Sequence, residues 1–155
     1  MLNFALVGCG RIAKRHSELL GFNEINGTKL VSVCDNVIDK ANKIAEQFKV
    51  SAYQDMDEMM KSESIDVVVV LTPSGLHAEH VINLSKYGKH LMVEKPMALT
   101  VEDTENMIYA CDVNNIKLFI IKQNRFNVPV VKLREALDAG RFGKLTMGTV
   151  RVRWA

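Results

Sequence analysis

The chain has 155 residues, 48% of them apolar and 25% charged, with a formal net charge of +2. That size can bury a core of its own, and that balance gives a globular profile with no electrostatic reason to expect nucleic acid or an anionic membrane as partner. The longest strongly apolar run, Val67 to Leu71, is too short to span a bilayer, no signal peptide is visible before the first strand, and the scattered cysteines Cys9, Cys34 and Cys111 form no C-x-x-C pair, so they read as reduced thiols of a cytoplasmic protein.

Apolar strands and amphipathic helices alternate along most of the chain. The first strand, Leu2–Val7, runs into Gly8-Cys9-Gly10-Arg11-Ile12-Ala13, a G-x-G-x-x-A turn that opens a helix over 11–21. This order builds an anion site from backbone alone, because the free N–H groups and the dipole of the new helix face the turn. Gly8 permits the tight turn, Gly10 keeps side chains away from an approaching phosphate, and Ala13 lets the helix pack close to the strand. A second strand, Lys29–Cys34, ends at Asp35, 22 positions after Ala13. An acidic residue there can accept hydrogen bonds from an adenosine ribose. Its alternative reading is a solvated cap for the next helix.

That helix spans 37–48, with Val37, Ala41, Ile44, Ala45 and Phe48 at helical spacing. A faintly marked strand follows near Val50–Tyr53, and the helical methionines Met56, Met59 and Met60 read as packing filler. The run Val67-Val68-Val69-Val70-Leu71 lies in the strand Asp66–Leu71; such runs belong to strands covered on both faces. After it come Thr72-Pro73-Ser74 and His77, leading into a helix over 75–87 that stops before Gly88. Strand His90–Val93 ends at Glu94-Lys95-Pro96. Thr100 and Asp103 form a variant capping box for a helix over 101–114, with Val101, Thr104, Ile108 and Cys111 as the expected buried stripe. Strand Lys117–Ile121 leads to Gln123-Asn124-Arg125, and Pro129 starts a helix over 129–139. The fold class is therefore α/β, a doubly wound parallel sheet over residues 1–140.

From Thr146 to Trp154 the pattern changes to strict alternation, the mark of a strand with one wet face. Residues 141–155 read as a linker and the first strand of a further domain, so the chain reads as truncated. In a doubly wound sheet, ligands bind beyond the carboxyl ends of the strands, and the polar clusters gather at that edge. Plainer readings stay open: Thr72-Pro73-Ser74 as a turn with Ser74 capping the helix, His77 as an ordinary first-turn histidine, Glu94-Lys95-Pro96 as a surface turn, and Gln123-Asn124-Arg125 as a solvated loop. His16, His80 and His90 lack metal spacing, so no metal site is expected.

The glycine turn, Val33-Cys34-Asp35, Thr72-Pro73-Ser74 with His77, and Gly88-Lys89-His90 running into Glu94-Lys95-Pro96 together resemble the N-terminal part of the glucose–fructose oxidoreductase / inositol dehydrogenase / rhizopine-catabolism family. The resemblance covers essentially the whole chain, and Glu-Lys-Pro after the fifth strand is its most specific element. It implies a Rossmann domain of an NAD-dependent oxidoreductase acting on a sugar or polyol, followed by a second, largely antiparallel α+β domain, with the full-length protein a homo-oligomer. It implies that Lys95 is the catalytic side chain and also touches substrate, with an X-Pro cis bond fixing it. It implies cofactor contacts from Gly8, Gly10, Arg11, Ile12, Asp35, Asn36, Thr72, Pro73, His77, Glu94 and Gln123, and substrate contacts from Asn124 and Arg125. Asp35 repels a 2′-phosphate and Asn36 brings no compensating charge, so NAD is favoured over NADP.

A narrower likeness lies in Lys122-Gln123-Asn124-Arg125-Phe126-Asn127-Val128-Pro129-Val130-Val131 and Gly140-Arg141-Phe142-Gly143-Lys144-Leu145, which are similar to bacterial UDP-N-acetylglucosaminuronate 3-dehydrogenases of lipopolysaccharide sugar synthesis. The alternatives are a free-sugar or inositol dehydrogenase of the same family, and a non-catalytic NAD-sensing protein. The chain alone is expected to bind NAD with negligible turnover.

Overall fold

The computed structural model describes residues 1–153. Contacts divide the chain into two compact units, Met1–Ile121 and Lys122–Ala155. Apolar strands without alternation need cover on both faces, and the first unit supplies it. Its strands are β1 (Leu2–Val7), β2 (Thr28–Cys34), β3 (Ser51–Tyr53), β4 (Val67–Val70), β5 (His90–Val93) and β6 (Leu118–Ile120). They lie in the order β3-β2-β1-β4-β5-β6, and every neighbouring pair is parallel. The helices between them are α1 (Ala13–Gly21), α2 (Ile38–Phe48), α3 (Met56–Ser62), α4 (His77–Ser85) and α5 (Val101–Val113). This is the doubly wound α/β sheet that the sequence predicts.

Two cores sandwich the sheet. Ala5, Val7, Val68 and Val70 face Met59, Met60, Val81, Leu84, Met107 and Cys111. Leu6, Val33 and Val69 face Ala13, Leu20, Ala41 and Ile44. Successive residues of β4 thus enter opposite cores, and all four of its valines are buried. No helix among the described residues is long and apolar enough to cross a membrane.

Four sequence expectations need correction. First, α3 is a separate helix that the element order left out, although its methionines read as helical. Its signal is Asp55, whose carboxylate accepts from the Glu58 N–H at 2.8 Å; the helix is short and polar except for Met56, Met59 and Met60. Second, the expected helix over 75–87 divides into a 3-10 turn, Ser74–Leu76, and α4, and no Ser74 side-chain cap forms. Third, α5 is rotated from the expected stripe. Thr100 caps it as predicted, its Oγ1 accepting from the Asp103 N–H, but Met107 and Cys111 are the buried pair while Val101 and Ile108 are exposed. Ile108 lies about 100° around the helix from Met107, enough to turn it out of the core.

The fourth correction concerns the second unit. It holds a 3-10 turn, Gln123–Phe126, and α6 (Val128–Asp138), with a proline in its first turn and no buried residue. The alternating segment makes no strand over 146–153. A strand exists only through its ladder partners, and none lies alongside among the described residues. Trp154, the end of that expected strand, lies outside them.

Candidate cofactor site

Parallel strands bring their carboxyl ends to one edge of the sheet. At its middle, β1 and β4 are neighbours whose following segments pack against opposite faces, which opens a crevice between them. A cavity of about 570 Å³ occupies this edge, lined among others by Gly8, Gly10, Arg11, Ile12, Asp35, Asn36, Thr72 and Pro73. Eight of the residues expected to touch the cofactor therefore share one wall system.

The glycine turn is fixed by two constraints. Gly8 has φ +96°, and a Cβ there would lie 2.8 Å from the backbone carbon of Leu71 and from the Thr72 nitrogen. Only glycine meets both demands without displacing the backbone after β4. Gly10 is the opposite case, since a Cβ added there meets nothing within 4 Å. That space opens in front of the turn, where the N–H groups of Gly10, Arg11 and Ile12 have no backbone acceptor among the described residues. Open space, unpaired donors and the α1 dipole together fit a pyrophosphate.

Asp35 closes the turn from the other side. Its Oδ2 accepts from the Cys9 N–H at 2.8 Å, and its Oδ1 accepts from the Val37 N–H at 2.9 Å. The carboxylate therefore lines the cavity and also ties the glycine turn to the end of β2. Lys40 Nζ stands 4.0 Å from Oδ1, and the Gln54 side-chain amide donates to the Asn36 carbonyl at 3.0 Å. Lys40, Gln54, Met56, Leu76 and His80 also line the cavity, and the sequence assigned none of them to the cofactor. Lys40 carries a local signal, one helical turn into α2 beyond Asp35; Gln54 and His80 carry none. His80 Nδ1 lies 2.9 Å from Thr72 Oγ1, and burial pushes its imidazole below the ordinary range, with Glu79 opposing the shift.

Three expected residues gather at the end of β5, outside that lining. His77 is 1% exposed. Its ring nitrogens lie 2.8 Å from the Pro96 carbonyl oxygen and 2.9 Å from that of Thr72. It pins the loop after β4 to the loop after β5 from beneath, where a cofactor contact was expected. Glu94 is buried, and both of its oxygens are engaged, Oε1 with His16 Nε2 at 3.1 Å and Oε2 with the Lys95 N–H at 3.0 Å. Lys95 itself is exposed, and the Lys95–Pro96 bond is cis, as the resemblance implies. Gln123, Asn124 and Arg125 belong to the second unit, on its 3-10 turn, where the Arg125 N–H donates to the Lys122 carbonyl and the Asn127 amide to Asn124 Oδ1.

The cysteines stay free and buried. Burial, with Asp35 next, pushes the Cys9 thiol from the usual 9.0 up to about 12. Burial, then Asp55, does the same to Cys34. A thiol whose value is higher in the folded than in the unfolded chain contributes stability that is complete below the unfolded value and is lost as pH rises through the folded one. Melting temperature should therefore show no loss from this source at neutral pH and a fall between pH 9.0 and about 12. A Cys9→Ser/Cys34→Ser variant, compared over the same range, should lose part of that slope; an unchanged slope would count against the assignment.

The sheet order, the glycine turn and the carboxylate at the end of β2 describe a dinucleotide site, and a family model described as an oxidoreductase family with an NAD-binding Rossmann fold matches residues 2–121. The chain belongs to the Gfo/Idh/MocA oxidoreductase family. Its first unit is an NAD-binding Rossmann domain. The WlbA dehydrogenase of Bordetella pertussis, solved with NADH and UDP-GlcNAcA, is 34% identical with a TM-score of 0.86, over 92% of this chain and 43% of that one. Its counterpart from Chromobacterium violaceum, solved with the same two ligands, is 37% identical with a TM-score of 0.87, over 92% and 41%. The myo-inositol 2-dehydrogenase of Thermotoga maritima is 31% identical over 92% of this chain and 42% of its own length. This Gfo/Idh/MocA chain thus spans about two fifths of the length of such relatives.

Proposed function

We propose that this chain is the cofactor-binding part of an NAD-dependent dehydrogenase that oxidises a sugar hydroxyl, C3 of a UDP-N-acetylhexosaminuronate, in lipopolysaccharide sugar synthesis. The observation that carries the dehydrogenase reading is the exposed Lys95, held at the carboxyl end of β5 by a buried Glu94. A protein that only sensed NAD would have no need of an ammonium at that rim. NAD, when bound, supplies the hydride acceptor. Lys95 stabilises the charge that develops on the substrate oxygen or takes part in relaying its proton. The turn at Gly8, Gly10, Arg11 and Ile12 holds the pyrophosphate, Asp35 and Asn36 the adenosine ribose, and Thr72 and Pro73 the nicotinamide side. Asn124 and Arg125 orient an acidic substrate group through planar hydrogen-bond forks. The whole protein acts as a homo-oligomer in the cytoplasm, in keeping with its free thiols.

The nucleotide-sugar reading is supported by the likeness to the two WlbA enzymes. An inositol or free-sugar substrate is the second reading, supported by the Thermotoga maritima relative. Mixing the full-length protein with NAD and each candidate, and following absorbance of the reduced cofactor, decides between them. Reduction with UDP-N-acetylglucosaminuronate and none with inositols is the expected result; the reverse selects the second reading, and no reduction with any of them overturns both.

Cofactor choice gives a separate prediction. Asp35→Ala with Asn36→Arg should weaken NAD about tenfold or more, since hydrogen bonds to a charged group contribute about 1.5–3 kcal/mol, and should admit NADP. Calorimetric titration with both cofactors reads this, with a melting curve alongside because Asp35 also anchors Cys9. An unchanged preference would remove Asp35 from the ribose.

A further inference from the structure

His16 lies on α1, in the helix that the glycine turn opens, and its sequence position gives it no role. Its Nε2 stands 3.1 Å from Glu94 Oε1, across 78 residues of chain. Both side chains are largely withdrawn from water, at 18% and 10% exposure. The other Glu94 oxygen accepts the Lys95 N–H at 3.0 Å. A carboxylate oxygen accepts, so in this contact His16 Nε2 is assigned as the donor and Glu94 Oε1 as the acceptor. His16, Glu94 and the Lys95 backbone thus form one continuous chain of hydrogen bonds.

We propose that His16 is a positioning residue for Lys95, acting through Glu94; this rests on the reading of Lys95 as the catalytic side chain. The carboxylate of Glu94 is held at both oxygens, so its rotamer, and with it the Lys95 amide, has one arrangement. Removing the His16 donor leaves Oε1 without its partner in a largely dry place, which favours rotation of the carboxylate toward water. The Lys95 amide then loses its acceptor, and the ammonium beyond it loses its fixed origin. A displacement of about 1 Å at a reacting group can cost about 100-fold in rate. The glycine turn does not depend on this contact, so cofactor affinity is spared. The plainer role is a tie that merely packs α1 onto the sheet; it predicts lower stability without a selective loss of turnover.

The test uses His16→Phe, which keeps ring volume and removes the donor, and His16→Gln, whose amide N–H can reach the same oxygen. In the full-length protein, His16→Phe is expected to lower kcat about 10- to 100-fold with NAD affinity by calorimetry unchanged, and His16→Gln to recover most of the loss. In a Lys95→Ala background, His16→Phe should cost nothing further, because residues acting as a unit are not additive. A readout without turnover comes from the cofactor-free protein, where hydrogen exchange at the Lys95 amide should speed about tenfold in His16→Phe and return in His16→Gln. If His16→Phe does not fold, His16→Ala carries the same expectations. Parental kcat and parental Lys95 exchange in the donor-less variant, with Lys95→Ala inactive, would overturn the positioning role and leave the catalytic reading intact. Full turnover in Lys95→Ala would overturn the catalytic reading and this inference with it.

Discussion

Lys95→Ala in the full-length protein is expected to lower kcat by about 10²–10⁴-fold, the range in which a positioned proton-transfer group contributes, with NAD affinity nearly unchanged. The separation follows from where the residue stands. The cavity walls come from the segments after β1, β2, β3 and β4, whereas Lys95 follows β5 and is exposed at its end. Steady-state rates from the absorbance of reduced cofactor, beside calorimetric NAD titration of the same preparation, read the two quantities independently. Lys95→Arg separates charge from proton exchange. Arginine keeps a cation but does not release a proton near neutrality, so partial recovery of kcat identifies charge stabilisation and none identifies proton relay. Turnover of Lys95→Ala within about tenfold of the parent would reduce Lys95 to a surface residue of the β5 turn.

The second large effect is expected at the glycine turn, where neighbouring glycines should fail in different ways. Gly8→Ala places a Cβ 2.8–2.9 Å from backbone atoms of Leu71 and Thr72 and at φ +96°. Backbone cannot yield as a side-chain tip can, so crowding and strain add to about 3–5 kcal/mol. For a chain of this size that is a fall of roughly 10 °C or more in melting temperature. Gly10→Ala meets no atom within 4 Å, so stability should be kept while NAD affinity drops, because the new methyl group occupies the approach to the unpaired N–H groups. Thermal melts and calorimetric titrations of the two variants test both halves. Equal melting temperatures would contradict the close approach of the β4 loop; undiminished NAD binding by Gly10→Ala would move the pyrophosphate elsewhere.

The strands were legible because burial on both faces leaves a mark that needs no partner to be read. Val67–Val70 is apolar throughout since its alternate residues enter opposite cores. The glycine turn was legible because its pattern is local to one strand–turn–helix unit, and Asp35 because it ends the next strand at a set distance from that turn. What escaped was set by tertiary contact. Met107 rather than Ile108 enters the core, and both are apolar, so periodicity alone left the helix rotation undetermined. The alternating residues after Thr146 carry a strand pattern, yet pairing is a property of two segments and not of one. His16 and Glu94 meet across 78 positions, and nothing adjacent to either announces the other. The family resemblance set His77 at the cofactor; its depth, at 1% exposure, could be known only once the two loops were seen to converge on its ring.

The double engagement of Asp35 constrains how this protein could evolve. One carboxylate holds the Cys9 and Val37 amides and, on the proposed reading, faces the adenosine ribose, so stability and coenzyme discrimination would be inherited together. A lineage switching to the phosphorylated coenzyme cannot simply discard the acid, because the first mutant on that path pays in thermal tolerance before it gains a new ligand. The accessible route runs through an intermediate that first acquires another acceptor for the Cys9 amide, and the order of substitutions matters more than their identity.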